Sequence, residues 1–294
     1  MRRVVGAVGV LGSGVALGVG AVAGFTAWTL NATRRPFPAY TFTPFEIGVP
    51  AEELSFVADD GVRLAGWWFD QPGVDTVVIC CHGHRGNKAD MLGIGPGLWR
   101  SGHNVMLFDF RGNGDSEDGP QSLAHHEQRD LRAAVALVAE RKPGARIAVV
   151  GFSMGASVAI LAAARDRRIE ALVLDSPFST MSDVIAASYR RYRLPSEPIL
   201  PIADLVNRLR YGYEFAAVRP IDALEDLAPR PILLLHGTED RVIPYAHAVE
   251  LARVAAPGTL ELVTFEGVDH CGGYFENRQG YIDRVAAFLE SALA

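Results

Sequence analysis

The chain has 294 residues, enough for one large α/β domain or two small ones, and an apolar fraction of 49% supplies ample material for a full core. A net charge of −6, with no basic run or stripe, excludes a nucleic-acid binder, which needs cations to replace the counterions of a phosphate backbone. Cys80, Cys81 and Cys271 are odd in number and two are adjacent in an expected buried strand, so they make neither a disulfide framework nor a zinc pattern.

Residues 4–30 carry no charge, and the run exceeds the ~20 helical residues that cross a bilayer. A single-pass membrane anchor is therefore expected over residues 1–33. Ala21-Val22-Ala23 resembles a signal-peptidase site, which makes secretion after signal cleavage the alternative, but the apolar run is longer than a usual signal core. Arg2 and Arg3 on one side balance Arg34 and Arg35 on the other, so the charge rule assigns no side of the membrane. Asn31-Ala32-Thr33 has the pattern of a glycosylation sequon, and its place against the membrane exit favours a chance match. Pro36, Pro38, Pro44 and Pro50 mark residues 34–53 as an extended linker.

A folded domain is expected over residues 54–294. Leu54 to Ala58 and Val62 to Asp70 flank Asp60-Gly61, a strong hairpin signal, so the sheet opens with an antiparallel pair. Strands at 76–81, 104–110, 146–152, 170–175, 231–236 and 260–265 then alternate with helical patterns, the order of a parallel sheet with right-handed crossovers. The alternation breaks after Asp175, where the connection to Pro231 is too long for a simple crossover. A small helical cap is expected there, at about 178–225. It carries Tyr189 to Arg193, Arg208, Arg210, Tyr211 and Tyr213, read chiefly as a solvated face and secondarily as a site for an anionic or lipid headgroup.

The chemistry centres on Gly151-Phe-Ser153-Met-Gly155, which matches Gly-x-Ser-x-Gly between a β-branched apolar run and an Ala-rich helix. A serine on so sharp a turn needs glycine on both sides, because bulk there would strike the flanking strand and helix. Serine also needs a base, and the base needs an acid to fix its tautomer. His270 and Asp240 each follow the C-terminal end of an expected strand, where an open α/β sheet gathers its site. Glu239 and Asp175 are rivals for the acid; Asp240 is favoured because Asp175 runs straight into Ser-Pro. Backbone amides of Met154 and of His84, in the loop His82-Gly-His-Arg-Gly-Asn87, are the expected oxyanion donors. His82 and His84 lack a carboxylate or cysteine nearby to complete a metal set, so no metal and no cofactor is expected.

Together, His82-Gly83, Asp109-Phe-Arg-Gly-Asn-Gly-Asp-Ser116, Gly151 to Gly155, Asp175-Ser-Pro-Phe178, His236-Gly-Thr-Glu-Asp240 with Val242-Ile-Pro244, and Asp269-His270 resemble the α/β-hydrolase superfamily. The chain is most similar to its serine-aminopeptidase-like, esterase and lysophospholipase branch. The resemblance implies the triad Ser153, Asp240 and His270, a mostly parallel eight-stranded sheet with helices on both faces, and no cofactor. The expectation is a membrane-anchored serine hydrolase acting on a small-molecule or lipid ester. A thioesterase or amidase with the same triad, and a non-catalytic binding scaffold, are the alternatives.

Overall fold

The computed structural model describes residues 2–33, 40 and 42–294, with side chains from residue 17 onward. Eight strands form one sheet: β1 (Glu52–Val57), β2 (Arg63–Phe69), β3 (Thr76–Cys81), β4 (Asn104–Phe108), β5 (Arg146–Phe152), β6 (Ile169–Asp175), β7 (Ile232–Gly237) and β8 (Leu260–Phe265). Their order is β1-β2-β4-β3-β5-β6-β7-β8. The pairs β1/β2 and β2/β4 are antiparallel and the rest parallel, as the hairpin at Asp60-Gly61 and the later alternation require. Gly61 takes φ +90° in that hairpin, a conformation a side chain resists.

The ten helices are α1 (Arg2–Asn31), α2 (Gly95–Arg100), α3 (Glu127–Arg141), α4 (Met154–Ala163), α5 (Met181–Arg191), α6 (Ser196–Tyr211), α7 (Pro220–Ala223), α8 (Ala246–Val254), α9 (Gly273–Glu276) and α10 (Arg278–Ala292) among the described residues. Cores lie on both faces of the sheet. Leu131, Val158, Ile185 and Leu251 belong to one, and Leu98, Tyr281 and Leu289 to the other. Side chains alternate along a strand, so the adjacent Cys80 and Cys81 go to opposite cores. Both thiols are free and fully buried, and burial pushes Cys80 up to about 12. Sealed on both faces, the central strands read as continuous apolar runs, which is why the sequence located them.

The stretch Asp109 to Ser116 is a knot of buried charge beside β4. Arg111, fully buried, pairs with Asp130 at 2.6 Å and Asp60 at 2.7 Å. Asp109 accepts from Lys88 Nζ at 2.7 Å and Tyr40 Oη at 2.8 Å. A Cβ at Gly114 would lie 2.3 Å from the Asp109 carboxylate, so glycine there lets the turn close on that carboxylate.

The N-terminus departs from expectation. Among the described residues no helix is long and apolar enough to cross a membrane, so the anchor expected over 1–33 is not found. The second half of α1 instead lies on the domain. Ala23 and Ala27 are fully buried, small enough to let α1 approach α6 closely. Asn31 Nδ2 donates to Asn207 Oδ1 at 2.7 Å, and Tyr213 Oη donates to Asn31 Oδ1 at 3.1 Å. Thr26 Oγ1 and Tyr189 Oη lie 2.6 Å apart. Composition alone cannot separate a bilayer span from a tightly packed small-residue helix; here Thr26 and Asn31 have partners on the domain. Asn31 is 6% exposed and both its amide atoms are engaged, so the sequon lies in the interior. Most of the linker's first part, residues 34–39 and 41 with Arg34 and Arg35, lies outside the described residues, as do the side chains of Arg2 and Arg3.

Candidate active site

The C-terminal ends of β3, β5, β6 and β7 share one edge of the sheet, with Cys81 opposite Gly151 and Phe152 opposite Asp175. Ser153 leaves β5 at that edge with φ 54° and ψ −118°, ahead of the first turn of α4. A side chain at Gly151 would meet the Gly155 carbonyl at 2.5 Å and Ala156 at 2.6 Å. One at Gly155 would meet the carbonyl oxygens of Cys81 at 2.4 Å and His82 at 2.6 Å. All of these are backbone atoms, none of which can swing aside, so the two glycines are obligatory for this turn. The Ser153 amide donates to the Asp175 carbonyl at 2.8 Å, which fixes the strained residue against β6.

Ser153, His270 and Asp240 form one hydrogen-bonded chain. His270 Nε2 lies 2.9 Å from Ser153 Oγ, and His270 Nδ1 lies 2.6 Å from Asp240 Oδ2. An ionised Asp240 accepts only, which assigns the proton to His270 Nδ1 and leaves Nε2 as an acceptor for the serine hydroxyl. Asp240 Oδ1 accepts from the amides of Val242 and Ile243, both at 2.8 Å, and Oδ2 also lies 3.2 Å from His236 Nε2. Burial works against the Asp240 charge. The bonds from His236, His270 and Ile243 outweigh it and hold the carboxyl well below the usual carboxylate range.

The rival acids do not bond to His270. Glu239 is exposed. Asp175, next to the serine at the end of β6, has a carboxylate that accepts from Tyr281 Oη at 2.7 Å and Ser176 Oγ at 2.9 Å. Its burial pushes its carboxyl up, opposed by those two bonds.

Met154 is the first residue of α4, so its amide has no intrahelical partner, and with His84 it borders the space beside Ser153. The loop carrying His84 is a tight turn, with the Gly86 amide on the Gly83 carbonyl at 3.0 Å and Arg85 at φ 62°. His82 is fully buried. Its Nδ1 lies 2.7 Å from the Gly83 carbonyl and its Nε2 accepts from the Phe110 amide at 3.0 Å, so both ring nitrogens are engaged in shaping the loop.

Several positioning residues escaped sequence reasoning. Asp269 Oδ1 accepts from the amides of Arg241 at 2.9 Å and His270 at 2.8 Å, clamping the acid loop to the base loop. Gly237 permits that approach, since a Cβ there would sit 2.2 Å from the Val268 carbonyl. Ser176 and Cys271 both take positive φ, and the Cys271 amide donates to Ser176 Oγ at 3.3 Å. The motifs Asp175-Ser-Pro-Phe178, His236-Gly237 and Asp269-His270 mark these positions in the sequence, but not the contacts between them. The Arg/Tyr stretch divides: Tyr189, Arg191 and Tyr192 border the cavity that reaches Ser153, whereas Tyr213 is buried elsewhere and Arg208 pairs with Glu214 at 2.9 Å.

Two cavities meet at Ser153. One, about 470 Å³, is mostly apolar and runs beneath α1 and α5 past Phe178 and Ile185. The other, about 610 Å³, is bordered by His270, Tyr274 and Phe275 with the charged Asp90 and Arg278. Both volumes lie in the range of small-molecule sites.

A family model for the alpha/beta hydrolase fold matches residues 76–197. YqkD of Bacillus subtilis is 31% identical over 254 residues, covering 84% of this chain and 82% of YqkD. The chain belongs to the α/β-hydrolase superfamily. Among solved structures, the Pyrococcus furiosus esterase PF2001 superposes on this α/β hydrolase with TM-score 0.73 at 26% identity, covering 87% of this chain and 96% of that one. Est1E from Butyrivibrio proteoclasticus, solved with ferulic acid bound, shares the fold at TM-score 0.65 and 20% identity, over 81% of this chain and 98% of its own. A hydrolase is what this fold and its esterase neighbours support.

Proposed function

We propose that this α/β hydrolase is a serine hydrolase of carboxylic esters, acting through an acyl-enzyme on Ser153. The observation that carries the reading is the unbroken chain from Ser153 Oγ through His270 to Asp240, with contacts of 2.9 and 2.6 Å. As Oγ attacks the ester carbonyl carbon, its proton passes to His270 Nε2, and the carbonyl π electrons move to the oxygen. Asp240, held ionised by its four donors, stabilises the imidazolium. The amides of Met154 and His84 receive the oxyanion, each contributing roughly 3 kcal/mol to the barrier reduction. Collapse breaks the bond to the alcohol oxygen, which takes the proton from His270. Water then repeats the sequence, giving its proton to His270, and the acid leaves.

An apolar cavity on one side of Ser153 supports an acyl substrate with a hydrocarbon chain, lipid esters included. The uncharged run of residues 4–30 supports a membrane location, which fractionation of cells expressing the full chain would test by sedimentation with or without the membranes. Hydrolysis of p-nitrophenyl esters from acetate to palmitate, alongside Ser153→Ala, tests the reaction. The reading predicts turnover that falls by about 10⁵-fold or more in the mutant. Equal inertness of two folded proteins would reject it.

A further inference from the structure

We infer that α1 is part of the substrate site: its inner face forms one wall of the acyl cavity, and its C-terminal turn braces the oxyanion loop. This rests on the ester-hydrolase reading and extends it to the segment that the sequence marks as a membrane anchor.

Two stripes run along α1. Ala23, Ala27 and Asn31, spaced by four, are buried. Val22, Phe25, Thr26 and Thr29, at i, i+3, i+4 and i+7, line the cavity of about 470 Å³ that reaches Ser153 and Met154. One stripe packs on the protein and the other faces the cavity, the division expected of a helix wedged between a protein neighbour and a substrate chain.

The wall is held in place at three heights. Thr26 Oγ1 contacts Tyr189 Oη of α5 at 2.6 Å, and Asn31 bonds to Asn207 of α6 at 2.7 Å. Between them, the Arg85 guanidinium donates to the Thr29 carbonyl. Arg85 follows His84 in the turn and holds positive φ, so the helix end and the loop with the second oxyanion donor are joined through one side chain. Removal of α1 would expose the cavity along its length and release that loop. The consequence is selectivity: the side chains of α1 set which acyl chains are accepted, and a mature enzyme lacking residues 22–31 would lose its preference as well as its wall.

The test uses the full chain. Thr29→Phe places a ring in the cavity, and Phe25→Ala trims a wall residue that is 62% exposed and so leaves no core void. Leu17→Gln, on α1 but outside the cavity lining, is the control. The ratio of kcat/KM for p-nitrophenyl octanoate over acetate is measured for each. Pocket changes of a methylene or more shift selectivity by roughly tenfold, and a shift of that order is expected for Thr29→Phe, with a smaller one for Phe25→Ala and none for Leu17→Gln. Ratios unchanged within about twofold in both cavity variants would overturn the inference. If the wild type cleaves no ester, the ester-hydrolase reading fails by itself, and the same variants are titrated with the fluorescent fatty acid cis-parinaric acid. Binding weakened by Thr29→Phe but not by Leu17→Gln would still support α1 as the wall; equal binding in all three, or none to the wild type, would overturn it.

Discussion

The floor and the roof of the site are built on different principles. The floor, where β5 turns into α4, is fixed by backbone: Ser153 is strained, and at Gly151 and Gly155 any Cβ would strike main-chain atoms within 2.6 Å. The roof, formed by α1 and α5 with α6 packed behind α1, is held by a few side-chain bonds, those of Thr26, Asn31 and Arg85, over a mostly apolar cavity. A backbone-determined floor admits almost no substitution without loss of the reaction. A side-chain-determined roof can change its lining and keep the chemistry, so the two should fail in different ways: the floor in rate, the roof in selectivity and stability.

The sharpest way to break this contrast is Ser153→Ala, which should lower kcat by about 10⁵-fold or more while leaving the melting temperature near that of wild type, read by ester turnover and calorimetry. Next comes Asp240→Asn, which keeps the shape but disfavours the required His270 tautomer. A fall of about 10⁴-fold in kcat is expected, while Asp175→Asn, whose carboxylate faces Tyr281 and Ser176, should stay within roughly tenfold of wild type. Similar losses from both would reopen the identity of the acid.

The remaining effects are energetic. Burial pushes Glu127, at the start of α3, up to about 7 from an ordinary 4.5, against the bonds it accepts from Ser122. A carboxyl raised in the folded state costs stability once ionised, so the penalty is absent below pH 4.5, grows as pH rises, and is complete above about 7. Between pH 4.5 and 8 the stability of Glu127→Gln relative to wild type should rise by up to about 3 kcal/mol, measured from urea midpoints. The smallest effect is that of Asn31→Ala, which removes the bond to Asn207 Oδ1 and the one accepted from Tyr213 Oη. It should destabilise the fold by about 1–3 kcal/mol and lower activity on long-chain esters more than on acetate.

The same division decides what was legible in the sequence. Glycine spacing, apolar β-branched runs and residues just past strand ends are local signatures of backbone constraint, so the sheet order's antiparallel start and the meeting of Ser153, Asp240 and His270 could be read in advance. Asp269 as a clamp, Ser176 with Cys271, and His82 as a loop support could not, since their roles exist only once distant loops meet. α1 is ambiguous for a physical reason: Gly, Ala and Val suit both a bilayer and a close helix contact, and the partners of Thr26, Thr29 and Asn31 on the domain do not show in sequence. The Arg-rich stretch is less ambiguous, because charges at 190, 191, 193, 208 and 210 are exposed, as a solvated face requires.

The central claim is that Ser153 is an activated nucleophile. Incubating the folded full chain with a fluorophosphonate and mapping the product by intact-mass and peptide mass spectrometry tests it without a substrate guess. The account predicts a single adduct on Ser153, absent in Ser153→Ala and formed far more slowly in His270→Ala. A folded wild-type protein that takes no adduct, or takes it at another residue, would contradict it.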